Sequence, residues 1–112
     1  RSGAASADTT TIEGGAIACT YVQTTSSRTK KKNIVHSERN AVKAINDIEI
    51  VDFFYKNDKD EKNQKVGFIA EDTDSIFSTN KKDCMDHSNC IGMLLKAVQE
   101  LSAEIEELKK NR

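Results

Sequence analysis

The stretch "IGMLLKAVQELSAEIEELKK", residues 91–110, decides how this chain is read. Ile91, Val98 and Ile105 recur every seven residues, and Leu94, Leu101 and Leu108 do the same. With the first set at heptad position a and the second at d, three heptads are filled without an exception. Glu104 at g and Lys109 at e stand five apart, the spacing that pairs neighbouring helices in a parallel coil. The pattern predicts a helix over 91–110 whose apolar stripe is a coiled-coil seam. The competing account is an amphipathic helix folded back on its own domain. Copy number stays open on the heptads. Ile/Val at a with Leu at d favours two strands, whereas Leu95 at e and Ala97 at g widen the apolar face in a way that suits three.

Upstream of that helix the segments are short and mixed. "KVGFIA" (65–70) and "EIVDFFYK" (49–56) read as antiparallel strands from their β-branched and aromatic content. The charged tract "KNDKDEKNQ" (56–64) is the loop between them. "SERNAVKAINDI" (37–48) predicts a helix with Ser37 as N-cap and Ala41, Ile45 and Ile48 on one face. "EDTDSIF" (71–77) suits a short helical turn before a polar loop over 78–90. Its Glu71, Asp72 and Asp74 are either an acidic cluster or caps for that turn. "AIACTYVQTT" (16–25) is β-prone and predicts a strand that delivers the chain to Ser26. Residues 1–15, small, polar and glycine-bearing, read as a flexible lead-in or cloning remnant. The expectation is an α+β domain over 16–112, a small strand/helix region followed by the long C-terminal helix.

The totals agree with a modest domain that needs partners. The chain has 112 residues, 37% hydrophobic and 31% charged, so its apolar supply is thin for a core built alone. A net charge of −1 gives no global pull toward nucleic acid or membrane. No stretch approaches the ~18 apolar residues of a membrane span, and no signal peptide is visible. Beginning at Arg1 rather than Met suggests a fragment or a processed product. Three cysteines, Cys19, Cys84 and Cys90, make no even disulfide framework and fit a reducing compartment.

Two local motifs raise chemistry. "CMDHSNC" places Cys84, His87 and Cys90 three apart, but the paired C-x-x-C spacing of zinc sites is absent. His36 or Cys19 would have to complete the set from far away, so no metal is expected. "TTSSRTKKKNI" (24–34) runs hydroxyl residues into basic ones. By composition it is a solvated basic loop, and it lacks the aromatic partners of a nucleic-acid surface.

The order of these pieces resembles a known family. A Ser…Lys-x-Asn-Ile segment, a helix, a strand pair containing "VGFIAED" and a closing "IGMLLKAVQELSAEIEELK" are similar to the C-terminal intramolecular chaperone domain of bacteriophage endosialidases, tailspikes and neck appendages, the S74 peptidase family. The likeness spans roughly residues 16–110. Aligning Asn33 and Ile34 with the family's Lys-x-Asn-Ile puts its lysine at Lys31 and its serine at Ser26. Ser27 stands where the family usually carries Asp, Thr29 where it often carries Arg, and the usual prolines are missing. A shifted register, Ser27 with Lys32, keeps the spacing of five but loses the Asn-Ile anchor.

The resemblance implies a homotrimer that assists folding of the phage fibre or tailspike polypeptide fused upstream. It then frees itself by autoproteolysis at the Thr25–Ser26 bond, with no cofactor, nucleic acid or membrane involved. The setting would be the host cytoplasm during virion assembly. Ser26 would be the nucleophile and Lys31 its base, while Asn33 would support the oxyanion or hold a turn. A lysine serves as base only when neutral, which burial or nearby positive charge promotes. In an extended segment Lys30 and Lys32 would point away from Lys31, leaving subunit burial to do most of this. The alternative is a structural coiled-coil module that trimerises its parent and never cuts. A third reading places the domain in a eukaryotic membrane-tethered transcription factor, but these 112 residues show no membrane helix beyond the coil.

Overall fold

The computed structural model describes residues 10–112. The chain divides into two units, one ending at Lys32 and the other running from Asn33 to Arg112. Residues 1–9 of the expected lead-in lie outside the described part.

In the first unit every described residue is exposed, and the regular structure is one 3-10 turn, Arg28–Lys30. The strand expected over 16–25 is not formed. The reason is pairing. A strand needs a neighbour for its N–H and C=O groups, and β propensity mostly measures packing on a half-buried sheet. Here Ile17, Tyr21 and Val22 are all exposed, so no packing rewards an extended ladder.

The second unit begins its regular structure at α1 (Ala41–Asn46). Its N-cap is Asn40, whose side chain accepts from the Lys43 amide at 3.2 Å, rather than Ser37. Ser37 Oγ accepts instead from the Arg39 amide at 3.3 Å, a local turn outside the helix. The start is set from a distance, because the Ala41 and Val42 amides are bound by Glu100. The expected apolar face is otherwise right: Ala41 is fully buried, and Ile45 and Ile48 pack against the same core.

Two short strands follow, β1 (Val51–Phe53) and β2 (Lys65–Gly67), antiparallel with Val51 opposite Gly67 and Phe53 opposite Lys65. A Cβ at Gly67 would come within 3.4 Å of Phe53 Cε1, so glycine leaves room for that ring. The ring also meets Tyr55 edge-on, with centroids 5.2 Å apart. In the connecting loop the Asp58 carboxylate accepts from the Lys62 and Asn63 amides at 3.2 and 2.8 Å, which holds the charged tract in a turn.

The predicted turn over 71–77 is two elements, a 3-10 turn (Ala70–Asp72) and α2 (Ser75–Ser78). Asp74 caps α2 by accepting from the Ile76 amide at 2.8 Å, which selects the capping reading for that carboxylate. Thr73 and Ser78 are buried but satisfied, since Thr73 Oγ1 donates to Ile69 O and Ser78 Oγ to Thr73 O.

α3 runs from His87 to Lys110, four residues earlier at its start than the heptads predict. Asp86 supplies the missing signal: its carboxylate accepts from the Asn89 amide at 2.9 Å. Its own amide donates to Phe77 O, tying the helix start to α2. The core is small. Ala41, Phe77, Met93 and Ala97 are buried, ringed by Val42, Ala44, Ile45, Ile48, Phe68, Ile76 and Cys90. Among the described residues, no helix is long and apolar enough to cross a membrane.

Candidate active site and assembly face

The Ser26–Lys31 pair is built by the 3-10 turn between them. Ser27 caps that turn: its Oγ accepts from the Thr29 amide at 3.2 Å and lies 2.9 Å from Thr29 Oγ1. Lys30 N then donates to Ser27 O and Lys31 N to Arg28 O, which curls the backbone through one tight turn. The curl brings residues five apart together, and Lys31 Nζ donates to Ser26 Oγ at 2.7 Å. The expected extended course of this segment is therefore replaced by a turn.

The two serines have different partners. Ser27 Oγ is occupied as a cap, whereas Ser26 Oγ faces the lysine. Ser and Asp are both strong capping residues. Serine at 27, where the family usually carries Asp, thus keeps a capping side chain. Ser26 and Lys31 are both exposed in the single chain. Asn33, in the second unit, has φ 55°, a left-handed backbone that Asn tolerates better than most residues and that suits a turn.

The rest of the basic run is exposed as well. In "CMDHSNC", Cys84 is exposed and its thiol is pushed up by Asp83 beside it. Cys90 is half-buried, its thiol pushed up by burial. Both effects favour the protonated thiol over the metal-binding thiolate.

The second feature is the outward face of α3. Ile91, Leu94, Val98, Leu101, Ile105 and Leu108 are all exposed, from 44% at Leu101 to 67% at Leu108. Leu95 is exposed beside them, but Ala97 is not. Ala97 is spent on the chain's own core, so of the two residues expected to widen the apolar stripe Leu95 alone stays exposed. The fold-back alternative is correct for Met93 and Ala97 and fails for every seam residue.

Residue-by-residue reading of the sequence missed Glu100. Its Oε2 accepts from the Ala41 amide at 2.8 Å and its Oε1 from the Val42 amide at 3.0 Å. Lys96, one turn earlier, donates to Oε2 at 3.2 Å. These backbone donors, Ala41 first, hold the carboxyl below the usual carboxylate range. The Lys96/Glu100 spacing of four was visible in the sequence, but nothing there named α1 as the third partner.

Comparison with known proteins gives one family. The model for peptidase S74, described as the chaperone of endosialidase, matches residues 26–81. No curated protein and no solved structure matches the chain. The family match begins at Ser26 and stops before α3, so it adds nothing to the coiled-coil expectation for that helix. With half of its length matched, from the serine of the Ser–Lys pair through both strands and α2, the chain belongs to the peptidase S74 family of endosialidase chaperones.

Proposed function

We propose that this domain is a self-cleaving intramolecular chaperone that trimerises through the α3 seam, assists folding of an upstream phage fibre or tailspike polypeptide, and releases itself at Thr25–Ser26. The observation that carries the reading is Lys31 Nζ at 2.7 Å from Ser26 Oγ. That separation lies within hydrogen-bond reach for proton transfer in either direction. A neutral Lys31 takes the hydroxyl proton as Ser26 Oγ attacks the Thr25 carbonyl carbon. The Thr25–Ser26 C–N bond breaks, the Ser26 nitrogen takes a proton, and Thr25 is left as an ester on Ser26. Water hydrolyses that ester, giving a Thr25 carboxylate and a free Ser26 amine. Because the attacked carbonyl is adjacent to the serine in the chain, its effective concentration is high.

The dyad is exposed in the single chain, and in this reading it is the neighbouring subunits of the assembled trimer that cover it. Cutting then reports completed folding. Asn33 holds the turn after the dyad or donates to the oxyanion. The domain acts where virions assemble, in the host cytoplasm, and the cut fibre leaves without it. The exposed dyad also favours the alternative, a trimerisation module that never cuts.

Intact-mass spectrometry of the domain fused to its upstream partner decides between the two. The expected product starts at Ser26. Ser26→Ala and Lys31→Ala should abolish it while assembly persists. Lys31→Arg should abolish it too, since guanidinium does not give up its proton near neutral pH. Lys32→Ala should cut normally. Full cleavage in Lys31→Arg would remove the mechanism, and an uncut parent would leave the structural module.

A further inference from the structure

We infer that His87 is a metal ligand in the assembled protein: three copies of it, one from each chain, form an imidazole layer at the open end of the α3 coil that takes a zinc-like divalent cation. The inference rests on the coil reading above and deepens it. It starts from register. Leu94, Leu101 and Leu108 fill successive d positions, and one heptad before Leu94 stands His87. His87 is the first residue of α3, which runs unbroken to Lys110, so the register of the leucines reaches it. It is exposed, as are Ile91 and Leu94 along the same stripe. The chain's own core uses a different side of the helix, through Cys90, Met93 and Ala97.

Parallel helices in register bring equivalent d residues face to face around the axis. At the later d positions those residues are leucines; at the first they are imidazoles. Three histidines with a fourth position open to water are the ligand set of one class of zinc site. Imidazole suits zinc, nickel and copper, whereas magnesium and calcium take oxygen ligands. Helical side chains lean toward the N-terminus of their helix, so the rings gather beyond the Ile91 layer, at the mouth of the coil. Ile91 gives the site an apolar floor, and water reaches it from the N-terminal side.

One chain alone does not complete the set. Among the described residues, no group of three His, Cys, Asp or Glu side chains comes together to hold a metal. Cys90 Sγ is turned to Phe77 O at 3.9 Å, and Asp86 Oδ1 is taken by the Asn89 amide. Cys84 precedes the helix, where the heptad count no longer sets direction. The partner copies must therefore supply the other two rings, and the stoichiometry follows as one metal per three chains. A dimer would offer two rings, too few for this set.

Zinc is the probe. The full 112-residue chain, stripped with EDTA and dialysed, is sized by sedimentation equilibrium and then titrated with zinc chloride by calorimetry. Binding should saturate at about one zinc per three chains. Zinc should also raise the thermal midpoint of the trimer, because a ligand of the folded assembly stabilises it by mass action. Cobalt(II) in its place should give visible d–d bands without the near-ultraviolet band of a thiolate ligand. His87→Ala and His87→Gln should assemble and lose both the binding and the shift in midpoint, while His36→Ala keeps them.

A polar d residue that only fixes the register of the coil would give trimers blind to zinc. A parent trimer that takes no zinc overturns the site and leaves the coil reading standing. Saturation at one zinc per chain overturns it too, as does binding that persists in either His87 variant. Histidine occurs only at 36 and 87, so His36→Ala leaves one imidazole proton signal per chain. Even if neither His87 variant assembles, a shift of that signal on adding zinc to His36→Ala trimers supports the site, and an unmoved signal overturns it. A parent that sediments as a monomer defeats the coil reading and the site with it, and a dimer defeats the three-ligand set.

Discussion

The two faces of α3 share one spacing and meet different surroundings. Cys90, Met93, Ala97 and Glu100 follow intervals of three and four along the face that packs on α1 and α2. Ile91, Leu94, Val98, Leu101, Ile105 and Leu108 follow the same intervals along the exposed face. Side-chain size and extent separate them. The body face is short, admits α1 closely at Ala97 and ends in a carboxylate, while the seam is uniformly large and runs a further two turns. Periodicity marks a helix with stripes. Which stripe is used by the chain itself depends on what the stripe is made of and what it can reach.

The largest expected effect breaks the seam and spares the body. Leu101→Asp places a charge where the coil would bury it, at a cost of several kcal/mol per subunit, about 3–5 when a buried charge is unpaired. Sedimentation equilibrium at micromolar concentration should fall from about three chain masses to one. A parent that is already a stable monomer with its helix intact would end the coil proposal.

A smaller effect belongs to the body face. Ala97→Leu overfills a site that is 7% exposed, which costs about 1–3 kcal/mol and should lower the thermal midpoint without raising the oligomer mass. If Ala97 instead faced a neighbouring helix, added apolar surface would tighten the coil, and a raised midpoint would reverse the assignment of the two faces.

Acid probes the junction between the faces. Glu100 has a folded-state pKa below its ordinary value, so the stability it contributes is complete above about 4.3 and fades as pH falls through the folded value. The gap in urea midpoint between the parent and Glu100→Gln should therefore be open at neutral pH and close in strong acid. A gap that stays constant would show that the charge is irrelevant to the clamp. The smallest effect is in the turn: Ser27→Ala removes a cap worth about 0.5–2 kcal/mol of local order and should slow cleavage modestly. Complete loss in that variant would move the nucleophile to Ser27.

Much of this was legible beforehand because it is local. The α3 heptads, the strand pair flanking a charged tract and the Ser26-to-Lys31 spacing depend on neighbours in sequence. What went wrong was long-range. The strand over 16–25 fails because pairing partners are not encoded in propensity. The α1 cap moved from Ser37 to Asn40 because a carboxylate nearly sixty residues on binds the first two amides.

By itself, the sequence determined that α3 is a helix with an apolar stripe repeating every seven residues, that a hairpin precedes it, and that a serine stands five residues before a lysine. Each follows from repeating patterns or short-range chemistry that needs no knowledge of distant contacts. Only the tertiary structure decided that the stripe stays outside the chain's own core, that Ala97 does not, and that a 3-10 turn closes Ser26 on Lys31 to 2.7 Å. It also tied Glu100 to α1. Those outcomes turn on which buried amide finds which acceptor, and burial is a property of the packed chain rather than of any stretch of it.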